Sequence, residues 1–96
     1  MLKLDKQKRL LISQDVREIA QISVPCKVYC IYDNGTLVLK QEAQFGTDKV
    51  VSGLTIDEKG RIAIGKILKF VGMNESNEFL VWCEPGAIHI EKTEGR

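Results

Sequence analysis

The chain has 96 residues, with 14 Lys and Arg against 13 Asp and Glu for a net charge of +1, and 44% of its residues are hydrophobic. Such a length and balance fit one folded domain spanning residues 1–96 and exclude a disordered chain. No apolar run approaches the ~20 residues of a membrane span, MLKLDKQKRLLIS lacks a secretory apolar stretch, and three cysteines make no disulfide framework, so a cytoplasmic protein is expected.

The charge is unevenly spread. Residues 1–20 and 54–72 each sum to +2, residues 21–53 to zero, and residues 73–96 to −3. Two basic segments about 52 residues apart prompt a search for a repeat. At an offset of 52, Leu4-Asp5 falls on Ile56-Asp57, Arg9-Leu10 on Arg61-Ile62, Val16 on Leu68 and Arg17 on Lys69. Past residue 20 the offset becomes 51, where Val28 meets Phe79 and Gly35 meets Gly86. The expected organisation is a first half over 3–40, a linker over 41–51 and a second half over 52–92.

Each half reads as the same string of elements. A short strand (Lys3–Leu4; Leu54–Ile56) enters a polar turn, in which Gly60 suits a positive φ. A second strand follows (Arg9–Ile12; Arg61–Ile64). Ser13 is placed to cap a helix over Gln14–Ala20, and Gly65 precedes a helix over Lys66–Val71 that stops at Gly72. Val16 with Ile19, and Leu68 with Val71, lie three apart and are expected to share one helix face. A loop with Pro25, or with Asn74–Asn77, leads to a hairpin in each half: Lys27–Tyr32 with Thr36–Lys40, and Glu78–Glu84 with Ala87–Glu91. Asp33-Asn34-Gly35 and Glu84-Pro85-Gly86 supply the turns. Val28, Cys30 and Tyr32 alternate with Tyr29 and Ile31, so the first hairpin strand reads as buried on both faces.

The stretch LTIDEKGRIAIGKILKFVGMNESNEFLVWCEPGAIHIEK resembles the AbrB/MazE swapped-hairpin DNA-binding domain, most specifically at Asp57, Gly60, Arg61 and Ile62. Residues 3–40 resemble the same unit, with Lys8 where the family has glycine. The resemblance implies a mostly β fold with short helices, in which two ββαββ halves interleave hairpins into one closed barrel within the chain, as in the MraZ relatives. One half alone buries too little and leaves strand edges open.

By the same resemblance, the turn, the arginine after it and the helix face duplex DNA. Position by position this implicates Arg9 and Arg61 first, then Arg17 and Lys69 on the helices. Lys3, Lys6, Lys8, Lys59 and Lys66 follow as phosphate contacts. Such cations release counterions from the phosphate backbone, and arginine also pairs bidentately with guanine. The competing reading is an ordinary solvated face in which Arg9 and Arg61 merely pair with Asp5 and Asp57.

Cys26, Cys30, Cys83 and His89 do not fall at a tight zinc-knuckle spacing, and no catalytic constellation is legible, so neither a metal, a cofactor nor an enzyme is expected. Phe79, Tyr29, Tyr32 and Trp82 read as barrel core or subunit interface. The expected function is a bacterial-type DNA-binding transcriptional regulator, as a monomer, homodimer or larger homo-oligomer. The alternatives are a protein-interaction or oligomerisation module with the same barrel, and an antitoxin-like component. The absence of the family's helix-leading proline and of its second helix cation favours the interaction module. The short stretch Thr93–Arg96 after the last strand argues against toxin wrapping.

Overall fold

The computed structural model describes residues 2–73 and 78–93. The described elements run β1 (Arg9–Leu11), α1 (Gln14–Ala20), β2 (Cys26–Asp33), β3 (Thr36–Lys40), β4 (Val50–Ile56), β5 (Arg61–Ala63), α2 (Gly65–Phe70), β6 (Phe79–Glu84) and β7 (Ala87–Lys92). The loop expected at 74–77 lies outside the described residues. No helix among the described residues is long and apolar enough to cross a membrane.

The strands form two antiparallel sheets rather than one closed barrel, which corrects the expected architecture. β1 and β5 make a two-stranded ribbon, and the other five strands follow the order β4-β2-β3-β7-β6. The five-stranded sheet stays open because its edge strands β4 and β6 are not neighbours. The expected first strand, Lys3–Leu4, shrinks to a single bridge between Leu2 and Phe79.

The duplication is legible in the pairing itself. In the ribbon, Leu10 opposes Ile62, its counterpart at an offset of 52, with Arg9 opposite Ala63 and Leu11 opposite Arg61. In the large sheet Val38 opposes His89, its counterpart at 51. A pseudo-two-fold axis therefore passes through both pairs. Val28 pairs with Leu54, and its equivalent is the bridge between Phe79 and Leu2. The two hairpins share one register, Asp33 opposite Thr36 and Glu84 opposite Ala87. Asn34 and Gly35 both take positive φ, as a two-residue hairpin turn between right-twisted strands requires.

The offset changes earlier than the sequence suggested. The helix ends match at 51: Gln21 and Gly72 both have positive φ, and the Ile22 and Met73 amides donate to the Arg17 and Leu68 carbonyls. Arg17 is thus the counterpart of Leu68, and Lys69 that of Glu18. The buried helix face follows the same shift. Ala20 is buried while Ile19 is 57% exposed, and Leu68 is buried while Phe70 is 76% exposed. Ser13 caps α1, its Oγ accepting from the Val16 amide at 3.3 Å. The N-cap of α2 is Ile64, with no side-chain hydrogen bond, and Gly65 is its first helical residue.

Alternation along the strands fills the core. Leu10 and Ile62 from the ribbon meet Val28, Cys30, Leu37, Leu39, Phe79, Ile88 and Ile90 from the sheet, with Ile12, Ile64 and Leu68 closing the ends. Cys26, Cys30 and Cys83 all face this core, and burial pushes the Cys30 thiol up to about 12. His89 lies on the opposite face of β7 from buried Ile88 and Ile90, so the sheet separates it from the thiols.

Residues 41–49 fold back over the outer face of the first hairpin. Ala43 and Val50 pack against Ile31 and Val38, and Phe45 meets the Tyr29 ring edge-on with centroids 5.2 Å apart. The Tyr32 amide donates to the Lys49 carbonyl at 3.2 Å. The linker is thus shorter than expected, since Val50 and Val51 already belong to β4.

Candidate nucleic-acid interface

The ribbon presents two faces. Leu10 and Ile62 point inward and are fully buried, so Arg9, Leu11, Arg61 and Ala63 form the outward face. Register places the two arginines diagonally, two residue steps apart, about 7 Å along the strands.

Each arginine is held by the turn before it. The Asp5 Oδ1 accepts the Gln7 and Arg9 amides at 2.8 and 2.9 Å, and the Arg9 Nε donates to Oδ2 at 3.0 Å. Asp57 repeats the arrangement, accepting the Lys59 and Arg61 amides at 2.9 Å and the Arg61 Nε at 2.9 Å. The arginine amides, and then the remaining turn amides and the guanidiniums, hold both carboxyls below the usual aspartate range. The Asp–Arg pairs of the competing reading therefore form. They use Nε only, and among the described residues the terminal guanidinium nitrogens of Arg9 and Arg61 take no partner.

The turns cross over between halves. The Ile12 amide donates to the Gly60 carbonyl at 2.7 Å, and the Ile64 amide to the Lys8 carbonyl at 3.2 Å. The turn of each half is thereby fastened to the start of the other half's helix. Gly60 has φ +85°, and a Cβ there would come within 2.7 Å of the Ile12 carbonyl oxygen. Lys8 occupies the equivalent position at φ +62°, as its place in the repeat implies.

The other expected contacts are distributed unequally. Lys8, Lys66 and Lys69 line one groove of about 560 Å³ with Gln7, Ser52 and Ile67. Lys6 and Lys59 are exposed in the two turns. Arg17 is turned away from this role: its Nε donates to the Ile12 carbonyl at 3.1 Å and packs against Gly60. Lys3 lies near the β6 edge, 3.9 Å from the Glu78 carboxylate, and its contacts do not join it to the ribbon. Sequence reasoning missed Leu11 and Ala63, the apolar pair between the arginines. The period-two pattern of Arg9–Ile12, with Leu10 buried, was the signal that could have found them.

Comparisons with protein families, with curated proteins and with solved structures returned no match.

Proposed function

We propose that the protein binds duplex DNA as a transcriptional regulator, through the outward face of the β1–β5 ribbon and the turns and helix that flank it. One observation carries the reading. Two arginines related by the pseudo-two-fold axis sit on a two-stranded ribbon, each oriented by an aspartate at Nε, with its terminal nitrogens taking no partner among the described residues. The major groove admits such a ribbon, and terminal guanidinium nitrogens are the groups that pair with guanine. The intrachain pairing and the hairpin register support reading the fold as a swapped-hairpin unit of the AbrB kind, with its two halves in one chain.

The test is fluorescence anisotropy with AT-rich and mixed duplexes across a salt series. With about four phosphate contacts, log K falls against log[salt] with a slope of about −3.6. Arg9→Ala with Arg61→Ala is expected to abolish sequence preference and weaken binding at least tenfold. Unchanged binding in that double variant overturns the assignment.

A second reading, a protein-interaction module, is favoured by the outer face of the second hairpin. Leu80 and Trp82 are 47% and 42% exposed there. Trp82 is stacked on His89 with ring centroids 3.7 Å apart, and its Nε1 donates to Glu91. A partner on this face would shift the emission of Trp82, the chain's sole tryptophan.

A further inference from the structure

We propose that the second hairpin binds an extended, basic segment of another protein, which adds a strand to the free edge of β6 and lays an aromatic side chain over Leu80 and Trp82. Such binding is independent of the ribbon. It rests on the protein-interaction reading above and gives that partner a defined chemistry.

The first hairpin carries its own version of this ligand. Ala43 packs on Ile31 and Val38, and Phe45 meets Tyr29 edge-on, so the outer face is covered. The same segment then runs back as β4 along the edge of β2. Leu54 pairs with Val28 and Ser52 with Cys30, and the Lys49 carbonyl accepts the Tyr32 amide. Val28, Cys30 and Tyr32 are thus the positions whose main-chain groups point to that edge.

At the offset of 51 their counterparts are Phe79, Val81 and Cys83. Phe79 exchanges two backbone bonds with Leu2, at 2.9 and 2.7 Å. Alternation aims the N–H and C=O groups of Val81 and Cys83 the same way, and among the described residues nothing pairs with them. Cys30 is fully buried, whereas its counterpart Val81 is only half-buried. The β6 sequence FLVWCE holds neither lysine nor proline, and its pairing with β7 has no bulge, so the usual protections of an edge strand are missing. An edge of this kind takes an added strand through main-chain bonds, and neighbouring side chains set its specificity.

Charge selects the strand. The first hairpin carries Lys27 and Lys40, and its covering segment carries Glu42 and Asp48 against Lys49. The second hairpin has Glu78 and Glu91 at the equivalent positions. Lys3 stands 3.9 Å from Glu78, and His89 meets Glu84 at 2.7 Å, yet both carboxylates stay exposed. Glu91 accepts the Trp82 Nε1 and borders the same face. Three carboxylates around Leu80 and Trp82 repel a second copy of this face and attract lysine and arginine, so the occupant is a basic segment.

The probe is a synthetic peptide of residues 43–54 carrying Asp48→Lys, titrated into the ¹⁵N-labelled full chain with Trp82 emission read in parallel. Shifts are expected at the Val81 and Cys83 amides and the Trp82 indole, with the β1 and β5 amides unmoved. The same peptide carrying Lys49→Asp instead is expected to bind about fivefold more weakly. Glu78→Lys with Glu91→Lys in the protein copies the charges of the first hairpin and is expected to reverse that preference. Leu80→Lys, which places a lysine on the edge strand, is expected to weaken binding, with circular dichroism confirming that the variant folds. Peptide binding that leaves Val81, Cys83 and the indole unmoved overturns this site while a protein-interaction module still stands. No binding of the basic peptide, or self-association of the free chain through this edge in sedimentation and amide exchange, overturns the basic partner.

Discussion

At the tight turn before the ribbon, the first half carries Lys8 at φ +62° and the second carries Gly60 at φ +85°. On the outer hairpin faces, Tyr29, Ile31 and Val38 of the first half lie under the linker, whereas Leu80, Trp82 and His89 occupy the same register positions uncovered by any such segment among the described residues. The backbone pairing is common to both halves. The difference teaches that pairing constrains buried positions closely and surface positions loosely. Leu10 faces Ile62 at the axis, and both are fully buried. Away from the axis, each half has diverged in charge and cover.

The largest effect is expected where the halves are most alike. Leu10→Ala or Ile62→Ala removes a buried side chain at the axis and is expected to cost about 2–5 kcal/mol, read by urea denaturation. Against a total of about 5–15 kcal/mol for a small domain, either change brings the fold near its limit. Equal losses at the two sites would support the shared axis, and a loss at only one would break it.

The turns give the next effect, with opposite signs. Gly60→Ala places a Cβ 2.7 Å from the Ile12 oxygen at positive φ, and is expected to cost at least about 1–2 kcal/mol. Lys8→Gly relieves the same backbone conformation and is expected to gain up to about 1 kcal/mol, reduced by the greater freedom of glycine in the unfolded chain. Thermal melting of both variants checks the sign.

Phe45→Ala removes the edge-on contact with Tyr29 and is expected to cost about 0.5–1.5 kcal/mol. Limited proteolysis of the 41–49 segment should quicken in that variant, while Trp82 emission stays unchanged.

The smallest effect at neutral pH belongs to the turn aspartates. Their pKa values are depressed in the folded chain, so their contribution is present above the ordinary aspartate value near 3.9 and is lost as pH falls through the folded values. Asp5→Asn with Asp57→Asn is expected to flatten the acid limb of a melting-temperature profile between pH 5 and pH 2. An unaltered limb would show that the two pairs do not contribute to acid sensitivity.

Much of the fold was legible because local chemistry repeats. Asn34-Gly35, Ser13 and the Asp-to-Arg spacing each act within a few residues, so the hairpin, the helix cap and the turn follow from them. The helix offset was not legible, because Leu68 and Val71 match Val16 and Ile19 in character as well as Ile67 and Val71 match Val16 and Ala20. The positive φ of Gln21 and Gly72 and the amide bonds of Ile22 and Met73, which only the folded chain shows, separate the two alignments. Val50-Val51 reads as linker and the strand as starting only at Leu54, yet β4 begins at Val50, with Ser52 and Gly53 opposite Cys30 and Tyr29, a consequence of sheet pairing rather than propensity. Among the candidate contacts, Arg9 and Arg61 were legible from the motif. The withdrawal of Arg17 was not, because its partner is a main-chain carbonyl set by the fold.

The most direct test of where the anion lies is a titration of ¹⁵N-labelled protein with a short duplex at low salt, followed by amide and indole shifts. Shifts are expected at Lys6, Arg9, Leu11, Lys59, Arg61 and Ala63, with none at the Trp82 indole. The largest shifts at Leu80 and the Trp82 indole, with the ribbon amides unmoved, would contradict the ribbon as the nucleic-acid face.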